Sequence, residues 1–406
     1  MNNVFKQLAL LKRKNWIMTL AVMALIIIGV LFIYSASAAS DDPRLRMLYK
    51  KQIVWLCVGL LAYVTFALVD YRSLRKMAWG GYLFSLAMLV LVLFVGEEIH
   101  GAKRSIAIPG LRIQPSELAK IAVILLLARR LSRPGKNLGS ASSVFGVLAL
   151  VAVPVILIFI EPDLGTAMVF LPLMFIMMFV SGVPYRVLAL LIAAGLALVA
   201  VVLAIMFVPQ KLGASPETEA AIMNAVGISE YQRKRITVYL NPDSDPLGAG
   251  WNKRQSEIAV GSGGKFGKGF LEGTQNILGY LPEYVAPTDF IFSVIAEEKG
   301  FLGSATILFL FATIVGCGVM TALAAPDKLG RLLCVGVVAC IMSHALINIA
   351  MTVGLMPITG LPLPLLSYGG SFMVVTMVAL GIVQSVHIRS KEPGLTFEQG
   401  GLWQMG

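Results

Sequence analysis

Charge is scarce in this chain: Asp, Glu, Lys and Arg make up 14% of its 406 residues, against about 25% in ordinary soluble domains. With 57% hydrophobic residues, that scarcity excludes a soluble globular protein and leaves one built for a bilayer. Cysteine is sparse as well. Cys57, Cys317, Cys334 and Cys340 form no CxxC and all fall inside apolar runs, so no disulfide framework can hold the polar loops. They read as small core residues. Nucleotide-binding motifs are missing too. Residues 261–269, GSGGKFGKG, look like a phosphate loop, but Walker A needs Gly, four residues, then Gly-Lys-Ser/Thr. Here Ser262 stands five before Gly267, and Gly269 follows Lys268. The dinucleotide spacing fails at Phe266. No tandem repeat, low-complexity tract or metal-ligand spacing is present.

What the chain does have is long apolar runs. A bilayer crossing takes about 20 residues, and ten runs of that order occur, at 16–34, 52–69, 78–96, 115–131, 143–160, 164–181, 187–208, 301–323, 332–353 and 370–388. The net charge of +11 raises the question of nucleic acid, but its distribution answers it. With the N-terminus inside, Lys12, Arg13, Arg72, Arg75, Arg129, Arg130, Arg133, Arg186, Arg331 and Arg389, with six further Lys or Arg including Lys6, Lys136 and Lys391, fall in short cytoplasmic segments. That is the positive-inside pattern of a membrane protein; no nucleic-acid partner is implied. The start of the chain also resembles a signal peptide ending at SASAAS (35–40), but its apolar run of about 18 residues exceeds the usual 7–15. The fold expected is therefore an all-α polytopic membrane protein of about ten transmembrane helices. Residues 1–406 form one membrane domain with both termini cytoplasmic. A large extracytoplasmic loop, 209–300, lies between helices seven and eight. Its polar first part, 212–227, reads as mobile, and Pro242, Asp243, Asp245, Pro246, Gly248 and Gly250 predict turns and short helices after it.

Polar residues beside the apolar runs are the candidates for function. Glu117 and Lys120, at i, i+3, share a helix face at the start of the fourth run. Ionisable groups in a span usually mark function, although a purely structural ion pair fits equally. Glu161 and Asp163 flank Pro162 at the outer end of the fifth run, where Asp163 suits a helix N-cap. His344 and Asn348, at i, i+4, read as an internal polar cluster. The Pro/Gly-rich stretch 357–371 (PITGLPLPLLSYGGS) predicts irregular backbone, tolerated at membrane depth only where protein or water covers it. GSGGKFGKG is either a flexible loop or an anion contact through Lys265, Lys268 and close glycine backbone. Most of these groups map to the outer side.

Together the motifs resemble the SEDS family (shape, elongation, division and sporulation). The matching stretches are IYSAS (33–37), GAKRSIAIPGLRIQPSELAKIA (101–122), EPDLGTA (161–167), YQRKRI (231–236), QSEIAVGSGGKFGKGFLEGTQ (255–275), LPE (281–283), TDFIFSVIAEEKGFLG (288–303) and NIAMTVGLMPITGLPLPLLSYGGS (348–371). They run in the family's order along nearly the whole chain, and GTQ with the LPLPLLSYGGS ending is closer to the elongation branch than to the division branch. Two departures stand out. Four residues, Tyr284-Val285-Ala286-Pro287, separate LPE from Thr288-Asp289 where two are usual, and no Trp follows Arg104.

The resemblance implies a peptidoglycan glycosyltransferase of the bacterial cytoplasmic membrane, with its active site on the outer side. It would polymerise lipid II within the elongation machinery beside a class B penicillin-binding protein. It makes Asp289 the candidate catalytic residue. Lipid II carries an α-linked diphosphate and the polymer has β-1,4 bonds, so a single inverting displacement needs a base for the incoming hydroxyl and cations for the departing diphosphate. Asp289, flanked by Phe290, Ile291 and Phe292, suits the base, because desolvation raises a carboxyl pKa. Arg104, Arg233, Arg235, Lys265 and Lys268 suit the diphosphate, with Glu117, Lys120, Glu283 and Ser367 completing the expected substrate site. No metal ligand is assigned; a divalent cation, Mg or Mn, could share the diphosphate. Two rival classes predict different behaviour. A lipid II flippase should carry charge through to both leaflets, and a non-catalytic scaffold should tolerate substitution of Asp289.

Overall fold

A computed structural model gives the fold and describes residues 10–99, 102–108, 111–135, 137–211 and 230–390. The polar stretch 212–227, Lys6, Lys136 and Lys391 lie outside the described residues. The long helices are α1 (Trp16–Ala38), α3 (Leu48–Leu68), α4 (Tyr71–Val95), α5 (Pro115–Leu131), α6 (Ala141–Ile160), α7 (Leu164–Ser181), α8 (Tyr185–Lys211), α12 (Ile291–Leu323), α13 (Lys328–Thr352) and α14 (Gly370–Ser390). A short α2 (Pro43–Arg46) leads into α3. Among the described residues nine segments are long and apolar enough to cross a membrane. The tenth expected span is α5, a 17-residue helix that starts on Pro115 and ends on Arg129 and Arg130. It is short because it sits inside the bundle, with Glu117, Lys120 and Leu127 all buried. The chain is a multi-pass membrane protein.

Caps follow the sequence. Asn15, Asp70, Ser140, Asp163 and Asp327 each accept a first-turn N–H of the helix they precede, which satisfies donors a helix start leaves open. The centre of the bundle is α13 and α14, with 72% and 78% of their apolar windows buried. α14 lies along α3, and α13 packs against α12, α7 and α5. The outlier is α8, only 6% buried. The buried face of α13 therefore carries its polar residues, His344, Asn348 and Thr352, inward.

Two features were not expected. Three short strands, β1 (Glu97–Ile99), β2 (Ala102–Ile108) and β3 (Leu111–Ile113), form a small antiparallel sheet, a minor departure from an all-α chain that sets Arg104 on a strand. The second concerns the long segment 209–300, which contains α9 (Glu230–Leu240), a 3-10 turn at Pro242–Ser244, α10 (Ala249–Ser262) and α11 (Thr274–Ile277). Its last ten residues belong instead to α12, which begins at Ile291 and breaks at Gly300 (φ 63°, ψ −157°). A straight helix would bond the Phe301 and Leu302 N–H groups to the Glu297 and Glu298 carbonyls. Here Phe301 and Leu302 donate to Gly264 and Lys265 carbonyls (2.8 and 3.2 Å), while Lys268 and Gly269 N–H groups donate to Glu297 and Glu298 carbonyls (3.0 and 3.1 Å). The glycine-rich stretch thus replaces, partner for partner, what the kink removes. A Cβ at Gly267 (φ 83°) would stand 2.2 Å from the Glu298 oxygen, which explains the glycine.

Candidate active site

Asp289 stands two residues ahead of α12. The linker Tyr284–Pro287, two residues longer than usual, is absorbed in a tight turn: Val285 and Ala286 donate to Pro282 O (3.0 Å each), and Asp289 and Phe290 N–H groups both reach Val285 O (3.0 and 3.1 Å). Three successive carbonyls are then held from outside. Tyr368 N–H donates to Pro287 O (2.9 Å), the Ser367 hydroxyl donates to Thr288 O (2.5 Å), and the Asn348 amide donates to Asp289 O (2.8 Å). Asn348 also donates to Leu361 O (2.6 Å). Helix α13 and the irregular stretch 357–371 together fix the backbone of Asp289. Ser367, expected to touch substrate, instead accepts from Leu363 N–H (2.7 Å) and grips Thr288.

The side chain meets its charges at a glycine. A Cβ at Gly360 (φ 71°) would lie 3.3 Å from Arg235 Nη2 and 3.5 Å from Asp289 Oδ2, so both groups reach this glycine, whose positive φ other residues rarely adopt. Arg235 Nη1 donates to Thr359 O (2.7 Å), which aims the guanidinium at that spot. Burial raises the Asp289 carboxyl above its ordinary value, while Arg235, Arg104 and the Thr288 hydroxyl oppose the rise and Asp163 adds to it. Arg104, on β2, donates to Pro162 O (2.8 Å). That bond brings the outer sheet onto the Glu161-Pro162-Asp163 turn.

Behind this lies a second polar layer. Asp163 accepts from Thr166 N–H (3.1 Å) and hydroxyl (2.9 Å) and from Gln114 (3.4 Å). Glu161 is 1% exposed, and among the described residues neither carboxyl oxygen has a hydrogen-bond partner. Burial and then Asp163 push it up to about 9, against Arg104, so it is neutral at physiological pH. Deeper still, Lys120 Nζ bonds Glu117 Oε1 at 2.7 Å and lies 2.5 Å from His344 Nε2, beside a small cavity of about 30 Å³ bounded also by Cys340 and Phe372. That volume holds about one water.

The other expected substrate residues are engaged elsewhere. Glu283 accepts from the Ser40 hydroxyl (2.5 Å). Lys268 bonds Glu297 (2.6 Å) and Thr274 (3.2 Å), about two helical turns along α12 from Asp289. Lys265 is exposed, over the Phe266 ring at 5.3 Å. Arg233 and its neighbour Lys234 lie on α9, where Lys234 pairs with Asp245 at 3.2 Å. Sequence reasoning noted Asn348 and Glu161 only as polar neighbours and Gly360 only within the irregular stretch 357–371, and gave none of them a place in the substrate site. The first sat in a polar i, i+4 pair with His344, but only the packing of α13 against residues 287–289 assigns its task. Among the described residues no three His, Cys, Asp or Glu side chains gather as a metal-binding group. The arrangement offers one carboxylate able to take a proton and two guanidiniums able to hold an anion.

Comparison with known proteins gives the family. A family profile described as "Cell cycle protein", covering FtsW, RodA and SpoVE, matches residues 15–392. The peptidoglycan glycosyltransferase MrdB of Escherichia coli is 37% identical over 381 residues, 92% of this chain and 93% of MrdB. Stage V sporulation protein E of Bacillus subtilis is 36% identical over 91% of this chain and 96% of its own length. Among solved structures, the rod shape determining protein RodA of Thermus thermophilus shares 29% identity at a TM-score of 0.64, covering 93% of this chain and 98% of RodA. One chain of a peptidoglycan synthase complex that coordinates polymerization and crosslinking reaches a TM-score of 0.73 at 31% identity, covering 93% of this chain and 99% of its own. The chain belongs to the SEDS (FtsW/RodA/SpoVE) family and is a peptidoglycan glycosyltransferase.

Proposed function

We propose that the chain polymerises lipid II at the outer face of the bacterial cytoplasmic membrane, with Asp289 as the general base. The observation that carries this reading is the convergence of Asp289 and Arg235 at Gly360, on a backbone whose three carbonyls are each pinned. A base held this rigidly meets the positional demand of a displacement, where a 1 Å error can cost about a hundredfold. Asp289 takes the proton of the incoming sugar hydroxyl as its oxygen attacks the anomeric carbon. The bond to the diphosphate breaks on the opposite side, and Arg235 and Arg104 stabilise the charge that departs. A divalent cation could share the diphosphate with the two arginines; no step depends on it. Since one solved relative belongs to a complex of polymerization and crosslinking, the partner we propose is a class B penicillin-binding protein.

Purified protein given lipid II, in detergent and with no ion gradient, should form glycan chains. Asp289→Asn, which keeps the shape and removes the base, should abolish them while the variant still folds. Activity in that variant would overturn the assignment. A transporter would give no polymer under these conditions.

The pH dependence carries a sign. The base works deprotonated, so kcat/KM falls as pH drops through the raised pKa of Asp289. Arg235 lowers that pKa, so Arg235→Gln should move the acid limb to higher pH. A loss of rate with an unmoved limb would mean that Arg235 does not act on Asp289 electrostatically.

A further inference from the structure

The lipid-facing surface is not uniform. Between α4 and α6 runs an open crevice of about 760 Å³, walled only by apolar side chains, among them Ala87, Val90 and Phe94 on one side and Val153, Ile156 and Leu157 on the other. Its origin can be read from the sequence. Pro154 lies inside α6 and has no N–H for the carbonyl four residues earlier, which is Leu150. That carbonyl is taken instead by the Tyr82 hydroxyl of α4 at 2.9 Å. The bond closes the two helices at this level, and the crevice opens directly beyond it.

Its position matters more than its volume. α4 starts at a basic cytoplasmic turn (Arg72, Arg75, Lys76) and ends at Val95, so Phe94 marks the outer membrane boundary. From Leu86 to Phe94 the helix rises about 12 Å, which confines the crevice to one leaflet of a core about 30 Å thick. At its outer end Leu157 O accepts from Glu161 N–H (3.2 Å), and the next residue, Pro162, is held by Arg104 (2.8 Å). The crevice thus ends one helical turn beneath the guanidinium that faces Asp289.

A ligand fitting this shape has an apolar chain in the outer leaflet joined to an anionic head at the membrane surface. Resting on the lipid II reading above, we propose that the α4–α6 crevice holds the polyprenyl chain of one of the two lipid-linked substrates, with Arg104 at its mouth taking the diphosphate. Chain growth joins two lipid-linked molecules, so the enzyme must seat an apolar tail while its head reacts. A crevice with a closed floor and a cationic rim sets the depth and direction of that tail. An ordinary phospholipid shares the same chemistry, so the test must separate the two.

The full chain would be placed in phosphatidylglycerol/phosphatidylethanolamine liposomes with photoreactive benzoylphenylalanine at Phe94, whose ring already lines the crevice, or, as control, at Leu196 on the exposed helix α8. Irradiation with radiolabelled lipid II should label position 94 but not 196. Excess unlabelled lipid II should remove the label and excess phosphatidylglycerol should not. Labelling that phosphatidylglycerol abolishes, or equal labelling at both positions, would overturn the proposal. Asp289→Asn should leave the label intact, because it removes chemistry and not the tail site. A wild-type chain that labels at 94 without polymerising would sink the lipid II polymerisation reading alone, and one that polymerises without labelling would sink the crevice alone. Filling the crevice by Ala87→Trp should raise KM for lipid II by about tenfold, equivalent to roughly two methylenes of lost burial. A substrate bearing a short prenyl chain should keep its KM, and equal losses for both chain lengths would overturn the tail site.

Discussion

At the scale of the residue, the site is controlled by groups that do not perform the chemistry. Asn348 is 0% exposed and donates to two carbonyls, one of them Asp289's. Asn348→Leu keeps the volume and leaves both carbonyls unpaired, which costs about 1–3 kcal/mol for each buried group. The expected result is a lower kcat with little change in KM, measured on purified lipid II, because the base is displaced while binding persists. Gly360→Ala should also lower kcat, since its methyl would enter the space between Arg235 and Asp289 at a positive φ. Glu161 gives a prediction about stability. Its folded pKa near 9 exceeds the ordinary carboxyl value, so between pH 4.5 and 9 the folded state keeps a proton the unfolded state has lost. Stability then falls as pH rises through that window. Glu161→Gln removes the dependence, so its thermal midpoint in detergent should gain on the wild type at pH 8 and match it near pH 4.

At the scale of the element, the kink at Gly300 shows how polar chemistry is carried into an apolar helix. Four backbone bonds to the 261–269 stretch stand in for two that α12 loses, and the Lys268–Glu297 pair closes the junction at 2.6 Å. Glu297 is 1% exposed, so Lys268→Ala leaves a buried carboxylate without its cation, a loss of about 3–5 kcal/mol. Thermal unfolding should show a marked drop for Lys268→Ala. Lys268→Ala with Glu297→Gln should recover part of it, because the uncompensated charge is gone. Failure of the double variant to recover would mean that the backbone bonds alone hold the kink. The sequence announced this stretch through its glycines and lysines, yet two readings were open and neither described it. Glycine marks close backbone approach, but which backbone approaches is a fact of packing. The same holds for the three short strands β1, β2 and β3, which are fixed by pairing with one another and have little length in which to show a period of two.

At the scale of the whole molecule, topology follows from charge. Cysteine placed at Asp245 should react with an impermeant maleimide added outside intact cells, and cysteine at Arg133 only after permeabilisation; the reverse pattern would invert the orientation. The long apolar runs, the basic short loops and the capping residues determined by themselves that this chain is a bundle of membrane-crossing helices, because hydropathy and local hydrogen bonding act within one segment. Charge inside a span, costly unless used, brought the Glu117–Lys120 pair under suspicion, and the family resemblance brought Asp289, Arg104 and Arg235. What only the tertiary structure decided is which of these meet. Arg235 and Asp289 are brought to one glycine by α9, the 357–371 stretch and the turn before α12, while Lys268 is drawn to Glu297 and Glu283 to Ser40. Contacts between residues scores to hundreds of positions apart depend on how helices pack, and packing is set by the sum of many side chains at once.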